Sequence, residues 1–432
     1  MRITAPKIST QVVLALALSA LLLVAAALWL GRTGDGSGRT VLRLRVWEER
    51  LVPAYRASLD AFERANPDVE VRITVLPWAS YQQKLRLDVA GGTADDLFWT
   101  NLYEDYADAG RLVDAGAALG PRAVGNLDPA AVDQYTRDGT LWAVPQSVDG
   151  GTAVFYNRDL LAAAHVDPAE LNAVRWSPGG DDTFRPLLRR LAAVAPWAYN
   201  AGSDFQSLEL PYLGSAGGAF QRDGRFVFDS PEGVTAFGYL VRLIADRLSP
   251  SAADTNATGD STNADFAKNA FLQGKLALFQ SGTFNLAQIA QQAPFPWGIA
   301  MLPQGPAGRV STDNAIGVAG NADSPHPDAV RRVLAWLGSA AGNRPLADDG
   351  ATVPAVVADQ QIYRNYWAAK GIDVAPFFDV LDGPHIASGG GPGFTAALQA
   401  AQRVLGEMFL GRIPVPEALS RAVAAAEDAA GQ

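Results

Sequence analysis

The chain has 432 residues, enough for two lobes with separate cores. Hydrophobic residues make up 48% and charged residues 19%, the composition of a folded chain rather than a disordered one. A formal net charge of −10 disfavours nucleic-acid partners, and the absence of cysteine excludes disulfides, thiol nucleophiles, thiolate metal sites and a lipid-modified N-terminal Cys.

At the N-terminus Arg2 and Lys7 precede an uncharged apolar run, Val12 to Leu30, and the polar "GRTGDGSGRT" follows. Basic, apolar, polar is the order of an export signal. The run exceeds the ~7–15 residues of a signal core and approaches the ~20 that span a bilayer. Residues 12–30 therefore read as an uncleaved anchor, with a cleaved signal as the alternative. Both place the chain from residue 41 onward outside the cytoplasm.

Alternating βα units come next. "VLRLRVW" (41–47) predicts a strand, although Arg43 and Arg45 suit a covered central strand poorly. Val52, Tyr55, Leu59 and Phe62 share one helical face, and Asn66-Pro67 ends that helix. "VEVRITVLPW" (69–78), "YQQKLRLDVAGG" (81–92) and "DLFWTN" (96–101) predict strand, helix, strand. Short joints between such units imply parallel neighbours in one sheet. "GTLWAVPQSVDGGTAVFYNRDLL" predicts two strands about an Asp149-Gly150-Gly151 kink, a candidate crossing between lobes.

Further on, Ser230 is placed to cap a helix with Pro231 at its first position and Val234, Phe237, Val241 and Ile244 as its buried stripe. "FAKNAFLQGKLALFQSGTF" (266–284) predicts helix, turn, strand and a helix opening. "PWGIAMLPQGP" (296–306) is a second candidate crossing, and "ADDGATVPAV" (347–356) a third. Val330, Val333, Leu334 and Leu337 form the inward face of another helix, and two helices follow the Gly-rich loop "GGGPGF".

No G-x-S-x-G, S-x-x-K, H-E-x-x-H, G-x-G-x-x-G or P-loop sequence is present. The three histidines, His165, His326 and His385, are far apart and predict no metal centre. Glu48-Glu49 is the one tempting carboxylate pair, but adjacent strand residues point to opposite faces, and acids at a helix start are the simpler reading. No catalytic residue, cofactor or metal is expected. What recurs instead is polar-aromatic sequence at strand ends and Gly loops: Trp47-Glu48, Trp78, Trp99 with Asn101, Asp149, Trp197, Ser281 with Phe284, Asp313 and Phe394. Aromatic faces suit the C–H faces of sugars, and Asn, Asp, Glu and Ser suit their hydroxyls. Open α/β sheets bind ligands beyond their strand ends, in pockets with apolar walls and a few placed polar groups.

The order of these motifs resembles the extracellular sugar-binding proteins of ABC importers, the family that includes maltose-binding protein. The resemblance rests on "FERANPDVEVRI", "DDLFWTNLYEDYADAGRLVD", "DGTLWAVPQSVDGGTAVFYNRDLL", "FLQGKLALFQSGTF" and "HPDAVRRVLAWL". It implies a two-lobe, type II periplasmic-binding-protein-like α/β fold, each lobe a mixed sheet flanked by helices, joined by hinge crossings. The expected division is 1–40 as signal or anchor and linker, 41–147 plus 303–348 as the first lobe, and 148–302 plus 349–432 as the second. Asp149, Gly150 and Gly151 are the expected hinge.

The resemblance places Trp47, Glu48, Trp99, Asn101 and Asp149 on the first-lobe side or hinge, with Phe284 and Phe394 stacking from the second. Phe284 stands where the family has Trp, a smaller face, and Asp313 replaces a more usual Gly-Gly. The implied partners are a sugar and the transmembrane subunits of a permease, with the protein a monomer held at the membrane by its N-terminal segment. A ligand-sensing protein for a membrane receptor or kinase, a binder of polyols or sugar phosphates, and a secreted carbohydrate hydrolase remain as alternatives.

Overall fold

The computed structural model describes residues 38–148, 151–251, 254–255, 260–312 and 315–431. The expected anchor at 12–30, hinge residues Asp149 and Gly150, and Asp313 lie outside the described residues. In chain order the main strands are β1 (Thr40–Val46), β2 (Val69–Val75), β3 (Leu97–Thr100), β4 (Val144–Val148), β5 (Thr152–Asn157), β6 (Leu278–Gly282), β7 (Trp297–Ala300) and β8 (Ala315–Gly320). The helices that position the site are α1 (Val52–Ala65), α2 (Trp78–Ala90), α3 (Glu104–Asp108), α4 (Pro231–Ala245), α5 (Pro327–Leu337), α6 (Phe394–Phe409) and α7 (Val415–Ala430).

The first lobe holds a sheet of order β2-β1-β3-β8-β4. β1 pairs in parallel with β2 and β3, as helical crossovers require. The late strand β8 enters between β3 and β4, antiparallel to both. The second lobe holds the antiparallel sheet β6-β5-β7. The chain therefore passes from β4 into β5 and returns from β7 to β8. Residues 353–357 also lie on first-lobe segments: Val148 N–H donates to Val353 O at 2.9 Å, Ala355 N–H to Gln146 O at 3.0 Å and Val357 N–H to Asn126 O at 3.1 Å.

Amphipathic periodicity builds the layers around these sheets. Tyr55, Leu59 and Phe62 of α1 and Val330, Val333, Leu334 and Leu337 of α5 are buried in the core that covers the first sheet. On α4 the Ser230 hydroxyl caps as expected, accepting from Gly233 N–H at 3.3 Å. Its buried stripe is rotated, however, to Ala236, Phe237, Tyr239, Leu240 and Leu243, with Val234, Val241 and Ile244 only half-buried. The second core lies against α4, α6 and α7.

Arg45, awkward for a covered strand, is buried but paired. Its guanidinium lies 2.6 Å from Asp95 and 2.7 Å from Asp88. Burial opposes its charge, but those two carboxylates outweigh it and raise its pKa further. Arg43 is exposed, and its backbone N–H donates to Asp96 at 2.8 Å. The second strand is shorter than its apolar pattern suggests. It stops at Val75, and Trp78 opens α2 because Pro77, extended at ψ 141°, sits at the N-cap. Among the described residues no helix is long and apolar enough to cross a membrane.

Candidate functional site between the lobes

β1 and β3 run in the same direction, so both deliver tryptophan to one edge of the first sheet. Trp47 follows β1, and Trp99 is the third residue of β3. Trp47 meets the rings of Trp78, Tyr81 and Trp99 edge-on at 5.1, 4.9 and 4.9 Å, and Tyr55 tilts onto Trp99 at 5.4 Å. Such edge contacts orient the electropositive ring edge toward the electronegative face.

The cluster is locked from α2. The Tyr81 hydroxyl lies 3.1 Å from Arg45 O and 2.8 Å from Trp99 O, tying the ends of both strands to one side chain. Burial pushes the Tyr81 pKa far up, so it stays a donor. Within this cluster Trp99 is wholly buried, Trp47 half-buried, and Trp78 42% exposed. The outward aromatic face is that of Trp78 with Trp47. Trp99 lies beneath them, and its indole N–H has no hydrogen-bond partner.

Polar groups border this floor. Asn101 is half-buried and its Oδ1 accepts from Gln82 Nε2 at 3.2 Å. Glu48 is the N-cap of the turn Glu49–Leu51, accepting from Arg50 N–H at 3.4 Å. That capping is the simple reading of the acidic pair.

On the second lobe, β6 ends in Ser281-Gly282 and the chain turns at once into Thr283–Asn285. Ser281 is buried, its Oγ accepting from Asn285 Nδ2 at 2.8 Å. The half-buried ring of Phe284 folds back over Gly282, where a Cβ would lie 2.3 Å from it. Beside them the π-helical turn Phe205–Glu209 is anchored by Gln280, whose Nε2 donates to Ser207 O at 2.6 Å. At the crossings, the Ser311 hydroxyl lies 3.2 Å from both the N–H and the Oγ of Thr152. Gly151 is packed so that a Cβ would lie 2.9 Å from Phe377 O.

The lobes touch along one edge. Gly393 N–H donates to Asp105 Oδ1 at 2.8 Å, and the Glu104 carboxylate accepts from Gly391 N–H. Gln82, Arg86, Leu102, Tyr106, Phe394 and Thr395, with these groups, line a cavity of about 10 Å³. That is room for one water, against the ~300–1,000 Å³ of a small-molecule site. Burial raises the Glu104 pKa against the hydrogen bonds it accepts, and pushes the Tyr106 hydroxyl up to about 12.

The expected residues thus divide. Trp47, Glu48, Trp78, Trp99 and Asn101 gather at one sheet edge, while Ser281 and Phe284 sit beside the crossings. Trp99 does not face outward in this conformation, because Trp47, Tyr55 and Tyr81 cover it. Phe394 does not either: its ring is buried in the second core, stacked on Phe226 at 6.2 Å and edge-on to Phe220 at 6.3 Å. Trp197 stands apart, bridged to Leu276 and edge-on to Phe266. It lies before β6 begins, several residues of ~3.3 Å rise from Ser281. Glu104, Asp105, Gln82 and Arg86 were not singled out in sequence. Acids in a first helical turn look like ordinary capping, and only the fold sets them against the second lobe.

Residues 48–344 match the family described as bacterial extracellular solute-binding protein. A similar solved structure is that of M. tuberculosis UspC, 51% identical over 90% of this chain and 100% of that one, with a TM-score of 0.74. The cyclic alpha-maltosyl-1,6-maltose binding protein of Arthrobacter globiformis is 20% identical over 91% of this chain and 99% of its own, with a TM-score of 0.72, a likeness of fold alone. Binding proteins of Brucella abortus are 23% identical over 285 residues, 64% of this chain, and the chain spans 66% of their length. With two α/β lobes, the first on a mixed sheet and the second on an antiparallel one where a mixed sheet was expected, and the crossings between them, the match over residues 48–344 places the chain in the bacterial extracellular solute-binding protein family.

Proposed function

We propose that the protein is the substrate-binding subunit of a sugar ABC importer, capturing a mono- or oligosaccharide between its lobes outside the cytoplasm and passing it to a membrane permease. The observation that carries this is the aromatic floor: the exposed Trp78 face beside half-buried Trp47, bordered by Asn101 and Glu48. An apolar platform ringed by hydroxyl-binding groups suits a pyranose. The role is capture without turnover. The Arthrobacter protein of the same fold is described as a binder of a maltose-based sugar, which supports the substrate class.

Trp99 and Tyr81 are the support beneath the platform, and Ser281 and Phe284 approach from the second lobe. Entry to the cleft requires the lobes to part, and capture requires them to close again. Asp149 to Gly151 serve as the hinge. Residues 41–148 and 315–359 move as the first lobe, the hydrogen bonds of 353–357 extending it beyond residue 348, while 303–311 stay with the second, Ala307 N–H on Ser215 O and Val310 in its core. Residues 12–30 tether the protein to the outer membrane face.

Thermal-shift measurement against mono- and oligosaccharides tests the reading, since a ligand that binds the folded form raises Tm. Trp78→Ala and Trp47→Ala should each remove the shift given by a hit. If no saccharide raises Tm, the proposed substrate class is wrong.

A further inference from the structure

We propose that the glycine loop 389–393 and the paired acids Glu104 and Asp105 form a latch between the lobes, which holds the cleft closed by contacts the protein makes with itself. The inference rests on the reading of the cleft as an opening and closing one. Two carboxylates at the N-terminal end of α3 reach across to backbone N–H groups at the N-terminal end of α6: Glu104 to Gly391 and Asp105 to Gly393, the latter at 2.8 Å. The loop is built to present those groups. Gly389, Gly391 and Gly393 have φ of 89°, 102° and 71°, the left-handed region that side chains disfavour. Gly390 N–H is held from behind by Gln221 Oε1 at 2.8 Å, which fixes the loop to the second lobe. At Gly393 a Cβ would lie 2.8 Å from Ala430 O, so the loop is also wedged against the end of α7.

The contact is fitted as well as bonded. A Cβ on Gly390 would stand 2.4 Å from Glu104 Oε1. Asp105, Tyr103 and Tyr106 face Glu104 from its own segment and Arg86 from α2, while the second lobe offers it backbone and Thr395. Burial against the second lobe outweighs the hydrogen bonds Glu104 accepts and raises its pKa, so closure gains as pH falls. Such a latch sets how much of the ligand-free protein is closed, and a ligand that must enter an open form or bind a closed one has its apparent affinity scaled by that fraction.

The test uses the whole protein without saccharide. The chain has no cysteine, so Leu87→Cys and Arg403→Cys, both exposed and on opposite lobes, take a pair of distance labels. The double variant Glu104→Ala/Asp105→Ala should lengthen the inter-label distance. Gly390→Ala, which enters from the other lobe and leaves both acids in place, should do the same. Asp105→Asn, which keeps a carbonyl acceptor, should stay near wild type. Loss of two charge-assisted hydrogen bonds predicts a closed-to-open ratio lower by about tenfold or more. Lowering pH from neutrality into the carboxylate range should shorten the mean distance in wild type and not in Glu104→Ala. Unchanged distances in both the double variant and Gly390→Ala overturn the latch. Failure of every saccharide to bind would sink the sugar reading instead and leave these distances untouched.

Discussion

Trp99 and Trp78 share one aromatic cluster and should fail in opposite ways. Trp99 is wholly buried, with Trp47 edge-on at 4.9 Å and Tyr55 tilted at 5.4 Å. Truncating a buried Trp to Ala costs about 3–5 kcal/mol, the lost transfer energy plus the cavity left behind. Against a total stability of about 5–15 kcal/mol this is a large share. A lobe of 150–250 residues loses about 2–4 °C of Tm per kcal/mol, so Trp99→Ala should lower Tm by roughly 6–20 °C. Trp78 is 42% exposed, and its truncation should change stability by about 0.5 kcal/mol or less. Circular dichroism melts, each variant scaled to its own folded and unfolded baselines, measure both, and titration with a saccharide hit measures binding. Trp78→Ala should retain Tm and lose affinity. A Trp99→Ala variant that melts like wild type but no longer binds would refute the assignment of support to Trp99 and contact to Trp78.

Further outcomes follow from other parts of the molecule. Arg45→Met leaves Asp88 and Asp95 without their shared cation and should cost about 3–5 kcal/mol, measured by urea unfolding. Burial pushes the Glu63 carboxyl up, but Val71 N–H, Arg39 and Arg56 outweigh that and hold it below its ordinary value. A lowered folded pKa gives stability that is present above the unfolded value of ~4.3 and lost as pH falls through the folded one, so wild type should lose more Tm than Glu63→Gln between pH 5 and 3. Gly282→Ala would place a Cβ 2.3 Å from the Phe284 ring and should turn that ring away from β6, lowering affinity for any bound saccharide while Trp78 is untouched, as titration calorimetry would read.

Elements whose signal is local were legible in sequence. The α5 stripe at Val330, Val333, Leu334 and Leu337 and the Ser230 cap depend on spacing within one turn or two. The Trp47 and Trp99 positions were visible too, because parallel strands must end at the same sheet edge. Which of their faces is exposed was not, since that depends on where Trp78 and Tyr81 of α2 come to rest. Arg45 looked misplaced until Asp88 and Asp95, more than forty residues on, supplied its charge. Phe394 follows a Gly loop as a ligand-stacking residue would, yet Phe220 and Phe226 claim its ring. The buried stripe of α4 lies a fraction of a turn from the one its spacing suggests because Val234, Val241 and Ile244 are apolar as well, and only packing chooses among competing faces.

The position of β8 has a consequence for how the chain comes to exist. β4 ends at Val148 and has β8 as its neighbour in the first sheet, while β3 depends on β8 for its second edge. Both edges therefore stay open during synthesis until the entire second sheet and residue 320 have been made. An N-terminal fragment is a half-built sheet with adhesive edges rather than a small domain. A protein destined for export gains from that delay, since a chain that cannot close its first sheet early remains threadable, and the first sheet to be encoded is completed only by a strand made after the second sheet.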